Sequence, residues 1–283
     1  MTLPYTDEHR AFRDSVRRFV AAEIAPHHDA WEREGHVPKA LWRRAGELGL
    51  LCQTMPEAYG GAGVDFMFPA IAIDELARVG ATGPLFYLHS EIVAPYLLHY
   101  GAEAQKQAWL ARMASGETIT GIAMTEPGTG SDLAGIRTIV VEAAATPGFR
   151  RGRNLKKLGM HAQDTSELFY DGARVPATNL LGEEGGGFAA LMRELPQERL
   201  LVAIMAAGAA DAAIEWTAQY VRERNAFGKP LAQQQTIRHR LAGLATEAAV
   251  GRAFLDECIV KHLDGALDTA TASMAKYWCT DLQ

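Results

Sequence analysis

Two short stretches of this 283-residue sequence hold residue types and spacings that could do chemistry. The first is a turn in which Gly128, Thr129 and Gly130 expose backbone N–H groups among the hydroxyls of Thr125, Thr129 and Ser131. Such a turn can hold an anion or the polar edge of a ring, or it can be an ordinary turn. No glycine follows at the spacing of the dinucleotide fingerprint, and no GK[ST] is present, so neither of those phosphate cradles fits. The second stretch is Glu198 beside Arg199. A carboxylate there could abstract a proton, or it could be an acid in the first turn of a helix, favoured by the helix dipole.

Other chemistries are disfavoured. Cys52, Cys258 and Cys279 lie far apart without CxxC spacing, which argues against a disulfide framework or a zinc site and fits a reducing compartment. The nine histidines include no HExxH, and His27-His28 reads as a wet helix end, so no metal is expected. With 28 Lys and Arg against 34 Asp and Glu, the net charge is −6. A surface of that sign repels phosphate backbones and disfavours nucleic acid as a partner. The local basic run Arg150, Arg151, Arg153, Lys156 and Lys157 reads as a solvated loop. The charged N-terminus lacks a signal-peptide core, and no stretch of bilayer-crossing length is expected, which predicts a cytoplasmic protein.

The elements that must position these residues are mostly helical. Thr6 can cap a helix whose apolar positions Phe12, Val16, Phe19, Val20 and Ile24 recur at helical spacing, with Pro26 expected to stop it. Further helices are predicted from Pro38 to Leu48, Asp65 to Val79 and Ala102 to Met113. From Thr118 the texture turns β-branched: strands are predicted at 118–124, 138–144 and 167–175, a thin sheet. From Phe188 the chain is again helical and rich in alanine. One long helix is predicted over 198–224, broken at Phe227-Gly228-Lys229-Pro230, a second from Gln234 to Leu263 and a third from Thr269 onward.

In context the glycine turn is more specific. AMTEPGTGSD (123–132) resembles the signature loop of the acyl-CoA dehydrogenase family. MPEAYGGAGVD (55–65), GMHAQDTSELFYDGARVP (159–176), LLGEEGGGF (180–188), ELPQERLL (194–201) and RNAFGKPL (224–231) follow the family's motifs in the family's order. ELPQERLL is most similar to the long-chain branch. The resemblance implies a mainly α fold with a small central β domain: a helical N-terminal domain (1–117), a shortened middle β domain (118–180) and a C-terminal helical bundle (181–283). It implies FAD as cofactor and an acyl-CoA as substrate, with an electron-transfer flavoprotein as acceptor and a homo-oligomer, dimer or tetramer in the family. It also implies a reaction in which a carboxylate removes the α-proton while a hydride leaves the β-carbon for the flavin, giving the trans-2-enoyl-CoA. Carried over by residue, the base falls on Glu198. Flavin contacts fall on Ile122, Ala123, Met124 and Thr125, and Gly130 and Ser131 fall where the loop meets cofactor phosphate, with Ser131 also meeting substrate. Pro196, Gln197 and Arg199 line the acyl pocket, while Arg224, Phe227 and Gln235 match positions that contact FAD across a subunit interface.

The sequence also departs from the family. After GSDLAGIRT (130–138) a stretch of β structure that covers the flavin face is missing, and the chain stops before the family's glycine-rich C-terminal segment. Ala226 stands where many relatives carry a hydroxyl, and Ala189 where the long-chain branch has an aromatic. Two readings follow: an FAD-dependent acyl-CoA dehydrogenase, or a non-catalytic remnant of that family able to associate through its helices.

Overall fold

The computed structural model describes residues 3–124, 143 and 145–283. In chain order the elements are α1 (Asp7–Phe19), α2 (Ala25–Glu34), α3 (Lys39–Glu47), α4 (Met67–Ala77), α5 (Ala94–Tyr100), α6 (Glu103–Ala114), β1 (Phe149–Asn154), β2 (Ser166–Tyr170), α7 (Gly187–Glu223), β3 (Asn225–Ala226), β4 (Lys229–Pro230), α8 (Gln235–Leu263) and α9 (Thr269–Leu282). The chain divides into two compact units: residues 1–25, 66–81 and 196–283 form one, and 26–65 with 82–195 form the other.

The first unit is helical. Thr6 caps α1 through its side chain, which accepts from the His9 N–H, and His9 returns a bond to the Thr6 N–H. Two donors that a helix start leaves unpaired are thereby satisfied. Asp268 caps α9 in the same way, accepting from the Thr271 N–H at 2.9 Å. The core is built from Val16 and Phe19 of α1, Met67 and Ile71 of α4, Leu200, Leu201 and Ile204 of α7, and Leu255 and Ile259 of α8. Among these apolar residues lies a chain of charges. Asp74 and Glu75 of α4 are both buried. Arg17 grips Glu75 with a two-pronged contact at 3.0 and 2.9 Å. Asp74 accepts from Arg78 at 3.1 Å and from Arg252 of α8 at 3.0 Å, and Arg252 and Arg78 both reach Asp211 of α7. A Cβ added at Gly208 would lie 3.0 Å from Ala77 and from the Asp74 carboxylate, so glycine allows α7 to come this close to α4.

The second unit combines α2, α3, α5 and α6 with the β1–β2 hairpin. Trp42 of α3 packs edge-on against Phe86 and His89, over buried Leu110 and Met113 of α6. β1 and β2 are antiparallel, pairing Phe149 with Tyr170 and Asn154 with Ser166 around an irregularity between Arg151 and Asn154. The segment between the strands is tied to α2 by Glu32, which accepts from the His161 and Ala162 N–H groups at 2.8 and 2.9 Å. Burial pushes the Glu32 carboxyl up, yet these backbone bonds and nearby His28 hold it below the usual carboxylate range.

Several expectations need correction. Pro26 does not stop the first helix: a π-helical turn at Val20–Ile24 carries the chain into α2, and Pro26 sits in that helix's first turn, where its missing N–H costs little. His28 is not a wet helix end but is buried, accepting from the Gly83 N–H at 3.0 Å. Residues 119–124 take no regular secondary structure and join no ladder among the described residues, so the expected strand 118–124 is not formed. The expected strand 138–144 lies almost wholly outside the described residues. The strand expected at 167–175 ends at Tyr170, and the basic run 150–153 is β-strand rather than loop, with the Arg150 guanidinium 4.0 Å from the Phe169 ring centre. A further helical stretch, a π-turn at Leu88–Val93 followed by α5, has no counterpart in the sequence reading. Finally, α7 is, by length and composition, apolar enough to cross a bilayer, with a window of mean hydropathy 1.5 that is 50% buried. That hydropathy was not anticipated; the alanines and leucines producing it include Leu200, Ala203 and Ala206, all fully buried.

The charge chain yields a prediction. Asp74→Ala should remove about 3–5 kcal/mol of stability, because it leaves Arg252 and Arg78, both partly buried, sharing Asp211 with only the exposed Glu215 in addition. Glu215→Ala, which removes only an exposed partner of Arg78 at 3.3 Å, should cost about 0.5 kcal/mol or less. Urea denaturation followed by circular dichroism distinguishes the two.

Candidate active site

The chemistry-bearing residues sit on three kinds of scaffold. Ile122, Ala123 and Met124 belong to the irregular stretch 119–124; Ile122 and Ala123 are exposed and Met124 is half-buried. Thr125, Gly130 and Ser131 lie outside the described residues. The stretch is secured upstream, where the Thr118 N–H bonds to the Arg112 carbonyl at 2.9 Å and Thr120 is held by His89.

Glu198, Pro196, Gln197 and Arg199 all lie on α7 and are half-buried. Because α7 begins at Gly187, Glu198 stands well inside the helix and not in a first turn. The dipole explanation for an acid at this position therefore loses its basis, since the effect fades within a turn. Pro196 sits in the helix interior. It has no N–H for the carbonyl of Met192, so the backbone hydrogen-bond ladder is interrupted one turn before Glu198. The Nη1 atom of Arg199 is buried and has no hydrogen-bond partner among the described residues. A buried guanidinium donor left without an acceptor costs stability unless something fills that role.

Arg224, Phe227 and Gln235 cluster around the break after α7. β3 and β4 pair Asn225 with Pro230 and Ala226 with Lys229, and Phe227 and Gly228 form the turn with φ of 53° and 76°. Both central residues are left-handed, as a two-residue hairpin of the I′ type requires. Glycine takes that conformation freely, whereas phenylalanine does so at a cost. Phe227 is 95% exposed, so no packing within the chain compensates it. Arg224 and Gln235 are exposed as well.

The sequence reading missed a polar cluster in the second unit. Glu194, which opens the ELPQERLL motif, accepts from Tyr100 at 2.9 Å and pairs with His99 at 2.9 Å. Burial pushes the Glu194 carboxyl up, but the His99 and Tyr100 hydrogen bonds outweigh it and hold it below the ordinary range. The bond to Glu194 raises His99. Tyr100 is pushed up to about 12 by burial and by the same carboxylate. The only trace of this in the sequence was a His-Tyr pair at a helix end, with nothing to say what faced it.

The same chain regions match known proteins. Residues 6–117 match the family model "Acyl-CoA dehydrogenase, N-terminal domain", and 185–283 match "Acyl-CoA dehydrogenase, C-terminal domain". The chain belongs to the acyl-CoA dehydrogenase family, an oxidoreductase family. It is 43% identical to the mitochondrial long-chain specific acyl-CoA dehydrogenase of Rattus norvegicus, over 99% of this chain and 75% of that protein. Among solved structures, an acyl-CoA dehydrogenase from Geobacillus kaustophilus superposes with a TM-score of 0.95 at 43% identity, covering 100% of this chain and 86% of the other. A glutaryl-CoA dehydrogenase from Mycobacterium smegmatis, solved in complex with FADH2, matches with a TM-score of 0.90 at 26% identity, over 98% of this chain and 82% of its own. The alignment with the rat protein runs over 324 residues, more than the 283 of this chain, so the relative carries residues with no counterpart here.

The Glu194 cluster has a definite pH signature. A lowered Glu194 contributes stability above the unfolded carboxylate value of 4.5, and this is lost as pH falls through its lower folded value. A raised His99 contributes fully below 6.5, and its share is lost as pH rises through its higher folded value. The pair is therefore strongest between these limits. In Glu194→Gln the His99 titration, followed by NMR of labelled histidine, should fall back toward the ordinary imidazole value.

Proposed function

We propose that this chain is an FAD-dependent acyl-CoA dehydrogenase whose base is Glu198. The observation that carries the reading is the place of Glu198 itself: a half-buried carboxylate in the interior of α7, within ELPQERLL, next in sequence to Arg199, whose buried Nη1 has no partner among the described residues. The residues fit the cofactor and substrate in kind. Ile122, Ala123 and Met124 offer exposed and half-exposed surface on a backbone in no ladder among the described residues, and Arg224, Phe227 and Gln235 are solvent-facing. Thr125, Gly130 and Ser131 would bond the ring edge and phosphates of FAD, and Ser131 would also meet substrate. When bound, FAD would accept the hydride that leaves the β-carbon.

The chain's own part is binding and proton removal. An α-proton beside a thioester is only weakly acidic, so the base must act while hydrogen bonds stabilise the charge developing on the thioester oxygen. Glu198 would take that proton on a carboxylate oxygen. Pro196, Gln197 and Arg199 would line the acyl pocket and exclude water from the carboxylate. Likeness to a long-chain specific relative supports a long acyl chain; the electron-transfer flavoprotein as acceptor follows the family resemblance, and a reducing, cytoplasmic setting rests on the cysteine pattern alone, since that relative is mitochondrial. We take 1–117, 118–180 and 181–283 as the helical, β and C-terminal helical domains of this arrangement. Trp216, Tyr220, Val250, Met274 and Tyr277, each more than half exposed on the C-terminal helices, support a homo-oligomer in which Arg224, Phe227 and Gln235 serve a neighbour's cofactor. The residues of the rat relative that lack a counterpart here support a second reading, a non-catalytic family member that associates through these helices.

Glu198→Gln should leave FAD binding intact and lower acyl-CoA oxidation by about 10²–10⁴-fold, because the amide keeps the shape but cannot accept the proton. Flavin absorbance of the purified chain and an artificial-acceptor assay with palmitoyl-CoA read the two effects separately. A colourless wild-type protein that takes up no added FAD would favour the non-catalytic reading.

A further inference from the structure

His89 is fully buried in the second unit, within the π-helical turn Leu88–Val93, and nothing in the reaction described above uses it. Its two ring nitrogens have different partners. Nε2 lies 3.1 Å from the Met113 carbonyl, which can only accept, so Nε2 carries the proton. Nδ1 is therefore the acceptor, taking the Thr120 N–H at 3.2 Å and the Thr120 hydroxyl at 2.8 Å. Burial pushes the imidazole down to about 4, which keeps it neutral and this tautomer intact at ordinary pH. Trp42 meets the ring edge-on at 5.4 Å between centres and fixes its plane.

The partner of this ring is what gives it a role. Residues 119–124 form no ladder among the described residues. Thr120 is held by both its backbone and its side chain, while Gly121, Ile122 and Ala123 beyond it are exposed. π-turns are rare and often stand at functional sites, and here one carries the histidine that holds the segment.

We propose that His89 is a positioning residue for the cofactor segment: it fixes Thr120, and through Thr120 the backbone from which Ile122, Ala123 and Met124 meet the flavin ring. The second half of this statement rests on the FAD reading given above; the first does not. Asparagine at position 89 can place an oxygen where Nδ1 stands and so keep the bond to the Thr120 N–H. Glutamine instead reaches the Met113 carbonyl and leaves Thr120 without its acceptor. A role limited to filling the core would not distinguish these two amides by their effect on Thr120.

The test compares the full-length chain with His89→Gln, His89→Asn and Thr120→Val. It uses amide hydrogen exchange across 119–124 without cofactor and titration with FAD by fluorescence quenching. His89→Gln should speed exchange at the Thr120 amide and weaken FAD binding, each by about tenfold, the size expected for one lost hydrogen bond. His89→Asn should restore both toward wild type. Thr120→Val keeps the backbone bond and should give a smaller loss in FAD affinity; it serves as the probe if His89→Gln does not fold. Equal exchange at Thr120 in the glutamine and asparagine variants, or unchanged exchange and affinity in Thr120→Val, overturns the proposal. If the wild-type chain binds no FAD, the functional reading falls, and the exchange data alone decide whether His89 holds the segment.

Discussion

The first unit depends on having two acids, Asp74 and Glu75, side by side on α4 and out of water. Buried carboxylates are tolerated only when cations and hydrogen bonds replace the solvent they lose. Those cations come from Arg13 and Arg17 on α1, Arg78 just past α4, and Arg252 on α8, while Asp211 on α7 shares two of them. Apolar packing alone would let these helices slide or rotate by a fraction of a turn. A guanidinium that must meet a carboxylate at about 3 Å does not allow that freedom. The network therefore does more for register than for raw stability, and the helix it holds in register, α7, is the one that carries Glu198.

α7 has to satisfy two demands that pull against each other. Its buried face is built mostly from alanine and leucine, with Ile204 and one glycine, Gly208, that lets it approach α4 closely. Near its start the same helix carries Pro196, the polar run through Arg199 and a broken hydrogen-bond ladder. Packing is assigned to one part of the helix and chemistry to another. The motif ELPQERLL is the junction between them, with Glu194 held by His99 and Tyr100 at its front and fully buried Leu200 and Leu201 at its back.

Much of the helical architecture could be read from the chain because caps and breakers are local. The Thr6 cap, the start of the last helix at Thr269 and the Phe227–Pro230 break fell where the side chains alone placed them. Features set by distant partners could not be read. The stretch around His89 and Pro95 is apolar on nearly every side, so it shows no amphipathic period, and its π-turn leaves no mark in the sequence. The β-branched residues of 118–124 suggested pairing, but a strand needs a neighbour, and this stretch is held by a histidine ring instead. The arginines at 150, 151 and 153 are solvated as read, but they sit on a strand rather than a loop, and Arg150 lies over the Phe169 ring of its neighbour. Glu198 was legible only through its motif. Its position deep within α7, and the unsatisfied Arg199 nitrogen beside it, emerge only when the helix is seen to begin at Gly187.

The turn at Phe227 and Gly228 carries one more implication. A large aromatic held at positive φ with 95% of its surface in water makes the isolated molecule less stable than an asparagine or glycine would. Nothing in the described fold offsets that cost, so any contact that repays it has to come from outside the chain. The hairpin is the place where the interests of the single chain and of its working state diverge.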